Sequence, residues 1–219
     1  MNTNHMKMKT IIVFLLFVPS LLFAQDHSPD MREQKTFGLG FVPQYAISNG
    51  FRIDLDLRLN NKKHWFTVAP QMYLSSKPNL NWDYNSMTGA GLELQHKIFL
   101  QQELKDINPY FSYGPVFNYF SVKEDGLEAN EFTENGRQYI GLEENEITTR
   151  IYKFGGNLIF GLQVLIMNNF YLDGYIGTGI RFSFDDQTNG LHNYYNDWWG
   201  DMGYSGTLMV GGIRFGVFF

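Results

Sequence analysis

The chain contains no cysteine among its 219 residues. That excludes a disulfide framework, a Cys-ligated zinc site, a thiol nucleophile and a lipidated N-terminal cysteine. Histidine is scarce too: beyond the first 24 residues only His27, His64, His96 and His192 occur. So few imidazoles predict no dedicated metal site. There is no basic excess either; the formal net charge is −5, and nucleic-acid binders usually carry a basic patch. No segment of two helical turns with caps is recognisable, and no internal repeat stands out. A G-x-S-x-G elbow is missing. The glycines of "FGLGF" and "GYIGTGI" fall inside strand-like segments, so a nucleotide loop is unsupported and no cofactor is expected.

Long apolar runs are nearly absent. The exception, "TIIVFLLFVPSLLFA", follows Lys7 and Lys9 and is shorter than the roughly 20 residues a membrane-spanning helix needs. With Ala24 before Gln25 as the cleavage point, residues 1–24 read as a secretory signal peptide, and 25–35 as a polar lead-in. Removing the leader leaves 15 basic against 22 acidic residues.

What the chain does have is aromatic residues, at 17%, and 22 glycines, a mixture that favours strands with tight bends. "FRIDLDLRLN" alternates Phe51, Ile53, Leu55, Leu57 and Leu59 with Arg52, Asp54, Asp56 and Arg58. Period two means a strand with one apolar and one charged face. Eight such segments are predicted, at 36–47, 51–60, 64–74, 88–99, 109–122, 148–166, 170–184 and 207–219. Asn49-Gly50 predicts a tight hairpin turn. After it the connections alternate short and long: 60–63, 100–108 and 167–169 against 75–87, 123–147 and 185–206. Such alternation suits an up-and-down antiparallel sheet whose two ends face different compartments.

The polar face is rich in glycine and in charges of both signs. It holds Arg52, Arg58, Lys97, Lys153, Arg181 and Arg214 against Asp54, Asp56, Glu93 and Asp173. Six positive against four negative is close to balance, as expected of charges that face one another in a confined space. Asp56, Arg58, Lys97, Asp173 and Arg214 are predicted to share one depth and form a paired network. The last strand alternates Ile213, Phe215, Val217 and Phe219 with Gly212, Arg214 and Gly216, and ends on an aromatic residue.

With that C-terminal pattern, the chain resembles the small bacterial outer-membrane β-barrels of the OmpA-transmembrane and OmpX type. The resemblance is architectural and covers the whole mature chain; no peptidoglycan-binding domain follows the barrel. It implies an all-β, eight-stranded antiparallel up-and-down transmembrane barrel over 36–219, placed in the outer membrane. It further implies periplasmic termini, long extracellular loops, outer-membrane lipid and lipopolysaccharide as surroundings, and Ile213, Phe215, Val217 and Phe219 as the signal for the barrel-assembly machinery. The apolar face of "FRIDLDLRLN" would then meet lipid and its charged face the lumen.

Two loops carry the functional expectations. The stretch 123–147 holds eight acids, Glu124, Asp125, Glu128, Glu131, Glu134, Glu143, Glu144 and Glu146, against Lys123 and Arg137, with no EF-hand spacing. The stretch 185–206 clusters Tyr194, Tyr195, Trp198, Trp199 and Tyr204, aromatics suited to an interface or to docking another outer-membrane or surface protein. The expected role is non-enzymatic: a structural and interaction protein acting through its extracellular loops, as an accessory subunit of a larger outer-membrane assembly. The alternatives are a lipid A-modifying enzyme and a small-solute channel. For the enzyme, His192 lies near Ser183, Asp185, Asp186, Asp197 and Ser205 without a nameable motif.

Overall fold

The computed structural model describes residues 35–59, 63–75, 84–101, 104–134, 136–166, 169–186, 190–191, 195–196 and 200–219. The expected signal peptide, nearly all of the lead-in, His192, Tyr194, Trp198 and Trp199 lie outside them.

Eight long or medium strands form one antiparallel sheet closed on itself. They are β1 (Phe37–Phe41), β2 (Gly50–Arg58), β3 (His64–Ser75), β4 (Ser86–Phe99), β5 (Ile107–Glu134), β6 (Arg137–Leu165), β7 (Phe170–Asp186) and β9 (Gly206–Phe218). A two-residue strand, β8 (Gly190–Leu191), adds to β5. Each stave pairs with its sequence neighbour, and β1 pairs with β9 to close the ring. Closure leaves no open edge around the lower barrel, the condition lipid imposes on a sheet. Both described chain ends lie at the same end of the barrel, here the lower end.

The alternation sorts as the sequence indicates. Outward positions are apolar and exposed, among them Leu57, Leu92, Phe117, Phe154, Leu162, Ile176, Phe182, Ile213 and Phe215. Inward positions carry the buried polar side chains, including Arg52, Asp54, Asp56, Glu93, Lys97, Asp173, Arg181 and Arg214. The molecule is therefore inside-out relative to a water-soluble barrel.

Two departures from the expected elements have local causes. The first segment is not one strand to residue 47: β1 ends at Phe41, and Pro43–Ser48 coil into a 3-10 turn. Pro43 supplies a fixed φ at the first turn, and Asn49, at φ 51°, caps its end in the left-handed region that Asn tolerates. No tight Asn-Gly hairpin forms there. This turn leans over the lumen, so Gly206–Arg214 of β9 pair only with β7. Above Phe41 the seam between β1 and β9 is bridged by Gln44, whose Oε1 accepts from the Ile213 amide at 3.4 Å.

The second departure is larger. The acidic stretch 123–147 is not an irregular loop; β5 and β6 stay paired from Ile107↔Val164 out to Glu134↔Arg137. Gly136, at φ 77°, makes the turn. The twelve residues of each strand beyond the wall amount to a ribbon about 40 Å long. Cross-strand contacts hold it: Phe132 stacks on Tyr139 at 5.6 Å, Asn130 donates to Glu143 at 2.9 Å and Asn145 to Glu128 at 3.1 Å.

Two glycines are placed by close approach. Gly161 lies under the ring of Tyr110, and Gly216 under the ring of Tyr171; a Cβ at either position would overlap the ring. Both tyrosines thereby lie flat on the inner wall. Gly161→Val and Gly216→Val are expected to destabilise the barrel by about 1–3 kcal/mol through overpacking. The check is a lowered urea midpoint in detergent micelles, followed by intrinsic fluorescence.

Candidate functional site

The lumen is stacked in layers, and its chemistry is set by which inward residue each strand offers at each height. At the lower mouth Trp65, Phe99, Tyr110, Leu165, Tyr171 and Phe218 pack into an apolar bung, which Ile159 continues upward along β6. Trp65 meets Phe218 at 5.2 Å and Tyr171 meets Phe218 at 4.6 Å between ring centres.

Above the bung lies an ionic layer. Arg214 of β9 sets Nη2 2.7 Å from Asp54 and Nη1 3.5 Å from Asp173 and 3.7 Å from Asp56. Lys97 of β4 stands 3.5 Å from Asp56 and 3.6 Å from Asp173. Arg52 of β2 pairs with Asp54 at 2.6 Å and with Glu93 of β4 at 2.5 Å. Neutral donors complete the carboxylates' shells: Thr67 and Tyr171 donate to Asp56, Tyr110 to Asp173, and Gln95 and Asn157 to Glu93. Lys97 also lies 4.6 Å over the Tyr110 ring. Every member is buried, as a paired network in a dry interior requires.

The predicted network is thus present with a different membership. Asp56, Lys97, Asp173 and Arg214 meet as expected, and Arg52, Asp54 and Glu93 join them. Arg58 does not; its guanidinium donates to the Lys35 carbonyl at 3.0 Å, at the lower rim. Counting residues from strand ends misjudges depth because barrel strands tilt and stagger.

Above the ionic layer is a cavity of about 310 Å³. Arg52, Glu93 and Asn157 form its floor, Tyr45, Gln71, Tyr73, Asn118 and Tyr175 its walls, and Asp201 with Met202 its roof. Lys153 and Arg181 also face it. Lys153 donates to the Asp201 carbonyl at 2.9 Å. Arg181 donates to the Gly156 and Ile180 carbonyls at 3.1 and 3.0 Å, and to Asn157 Oδ1 at 2.8 Å. The roof is held by Met202, buried with Tyr84, Met87, Phe120, Val122 and Ile151. Tyr195 leans on that cluster and donates to Glu124 at 2.8 Å, at the top of the lumen. Tyr204 donates to the Thr207 carbonyl at 3.1 Å. The terminal residues Ile213, Phe215, Val217 and Phe219 fall on the outward parity, with Phe219 against Phe37 at 5.9 Å.

Sequence reading missed the tyrosines. Tyr45, Tyr110, Tyr171 and Tyr175 point inward and reach charged groups, yet as aromatics they pass for wall residues. The inward amides Gln71, Gln95, Asn118 and Asn157 were legible from parity once the charged residues fixed the face.

No family model matches the chain, and no curated protein matches it. Among solved structures it is similar to Acinetobacter baumannii CarO, at 11% identity and TM-score 0.41 over 86% of this chain and 99% of that one. It is also similar to the N-terminal β-barrel domain of Pseudomonas aeruginosa OprF, at 12% identity and TM-score 0.41 over 85% of this chain and 98% of that one.

Two outcomes are expected of the layered lumen. Arg214→Met takes one of two cation partners from each of three buried carboxylates and should cost about 3–5 kcal/mol in urea unfolding. Arg150→Met, at the exposed 3.6 Å pair with Asp186, should change stability by less than about 1 kcal/mol. In planar bilayers the pure protein should show no steady conductance; a stable ohmic pore would contradict a lumen closed by bung and ionic layer.

Proposed function

We propose that this chain is an integral barrel of a bacterial outer membrane that acts through what it displays outside the cell, without enzymatic activity. The observation that carries this reading is the contrast between a filled lower lumen and a protruding β5–β6 ribbon. The apolar outer face supports a lipid setting, because inverted barrels of this kind are built for lipid outside and polar groups within. In that setting the described termini are periplasmic, and the ribbon and the 187–205 connection are extracellular. Lipid and lipopolysaccharide surround the wall, and the outward Ile213, Phe215, Val217 and Phe219 serve the barrel-assembly machinery.

The ribbon supports a protein partner in particular. Beyond Thr149, the outer edge of β6 has no strand beside it among the described residues. An unpaired edge is a template for strand addition. Its outward face sets Leu142 and Ile140 among Asp125, Glu131, Glu144 and Glu146. A partner with an extended segment of basic and apolar side chains would match it, and the barrel would be an accessory subunit of that assembly. The channel reading is disfavoured by the buried ionic layer.

Replacing 126–145 by Asn-Gly joins Asp125 and Glu146, which already face one another. The barrel should still fold, shown by a heat-modifiable band on gels. Native extraction in mild detergent should recover a stoichiometric partner with the full chain and lose it with the shortened one. Retention of the partner would clear the ribbon of this role, and a lone full-length monomer would refute the assembly reading. An altered lipid A mass profile in cells expressing the protein would refute the non-enzymatic reading.

A further inference from the structure

The cavity above the ionic layer differs from that layer in its charge balance. Its lining holds Arg52, Lys153 and Arg181 against Glu93 and Asp201. Glu93 is already engaged by Arg52. Among the described residues neither Lys153 nor Arg181 lies within ion-pair reach of a carboxylate; their acceptors are carbonyl oxygens and the Asn157 amide. Arg181 is nonetheless 93% buried. A guanidinium has five donors and an ammonium three, so both cations keep unclaimed N–H groups. Gln71, a wall residue, accepts from Tyr73 and Asn118 while its Nε2 has no acceptor. The site thus offers donors and positive charge in excess of acceptors.

The remaining walls are apolar or aromatic: Tyr45, Tyr73, Met87, Phe120, Tyr175 and Met202. The consecutive residues Leu208–Gly211, on the strand edge that β1 leaves unpaired, also line the cavity. Met209, which is 71% exposed on the outer face, is one of them. The cavity therefore borders the weakly bonded upper seam, which Gln44 spans. At about 310 Å³ it is at the small end of ligand pockets.

We propose that this cavity binds a small amphipathic carboxylate. Its charged head sits against Arg181 and Lys153, and its apolar body lies among the tyrosines toward the β9 edge. Binding requires no flow through the lumen and no ribbon partner, so it is independent of the role proposed above.

The test uses the full mature chain, purified in detergent micelles, and isothermal titration with three probes. Benzoate should bind saturably. Benzamide, the same shape without the charge, should bind at least about tenfold more weakly, a difference of about 1.4 kcal/mol. Inorganic phosphate, an anion without the apolar body, should also be at least tenfold weaker. Equal binding of benzoate and benzamide, equal binding of benzoate and phosphate, or no saturable benzoate binding would each overturn the proposal. Arg181→Gln and, separately, Lys153→Met should each weaken benzoate severalfold in protein that retains the heat-modifiable folded band. Unchanged benzoate affinity in both would overturn it as well. The three-probe comparison on the unmodified chain stands even if a variant fails to fold.

Discussion

Arg214 holds the barrel shut where its backbone is weakest. The ring closes through β1, a strand of five residues that makes only four register pairs with β9. Arg214, on β9, reaches across β1 to Asp54 and Asp56 on β2, while the same guanidinium takes Asp173 on β7. One side chain therefore ties three strands, two of which lie on opposite sides of the short closing strand. A ladder with few hydrogen bonds gains a charge-assisted clamp where it is needed, and such bonds are the strong ones. A slip of the seam by one residue would turn Arg214 toward lipid and bring Ile213 and Phe215 into the lumen, so the clamp also fixes register.

The clamp depends in turn on small residues beside it. Gly40 lies against the aliphatic stem of Arg214 and the Tyr171 hydroxyl, and Gly216 against the Tyr171 ring. A side chain at either glycine would push the phenol away from Asp56 or the guanidinium away from its acids. Glycine in these strands thus buys lumen volume for two large polar groups in a barrel whose interior is only wide enough for side chains. The same logic puts Gly161 beneath Tyr110, which caps Asp173 and lies under Lys97.

Much of this was legible in the sequence, because period two and the sign of each inward residue are written directly in the strands. Segments such as "FRIDLDLRLN" and "TGAGLELQHKIF" needed no tertiary information to show which face is charged. What parity could not give was height. Arg58 and Asp56 are two residues apart on one face, yet one meets a backbone carbonyl at the rim and the other sits in the ionic layer. Parity puts Ile151, Ile159 and Leu165 on the inward face of β6, but it could not say that they gather with residues of other strands into apolar clusters. The ribbon escaped for another reason. Acid-rich, glycine-punctuated sequence usually reads as solvated loop, and only cross-strand pairs such as Phe132 with Tyr139 and Asn130 with Glu143 make it a hairpin.

Charge balance separates the two polar regions of the lumen. In the lower one, three cations are paired among four carboxylates, one negative charge in excess, and hydroxyls and amides donate to the carboxylates as well. Each cation there is held at ion-pair distance by two or three carboxylates, and such an arrangement acts as structure. In the upper one, among the described residues Lys153 and Arg181 have only dipoles at hydrogen-bond distance, and dipoles compensate a buried charge incompletely. The deficit is relayed downward in part, since Arg181 holds Asn157 and Asn157 donates to Glu93. That relay orients the guanidinium without neutralising it. A buried cation oriented by neutral groups, beside empty volume and aromatic walls, is the condition under which an incoming anion gains more than it loses on leaving water.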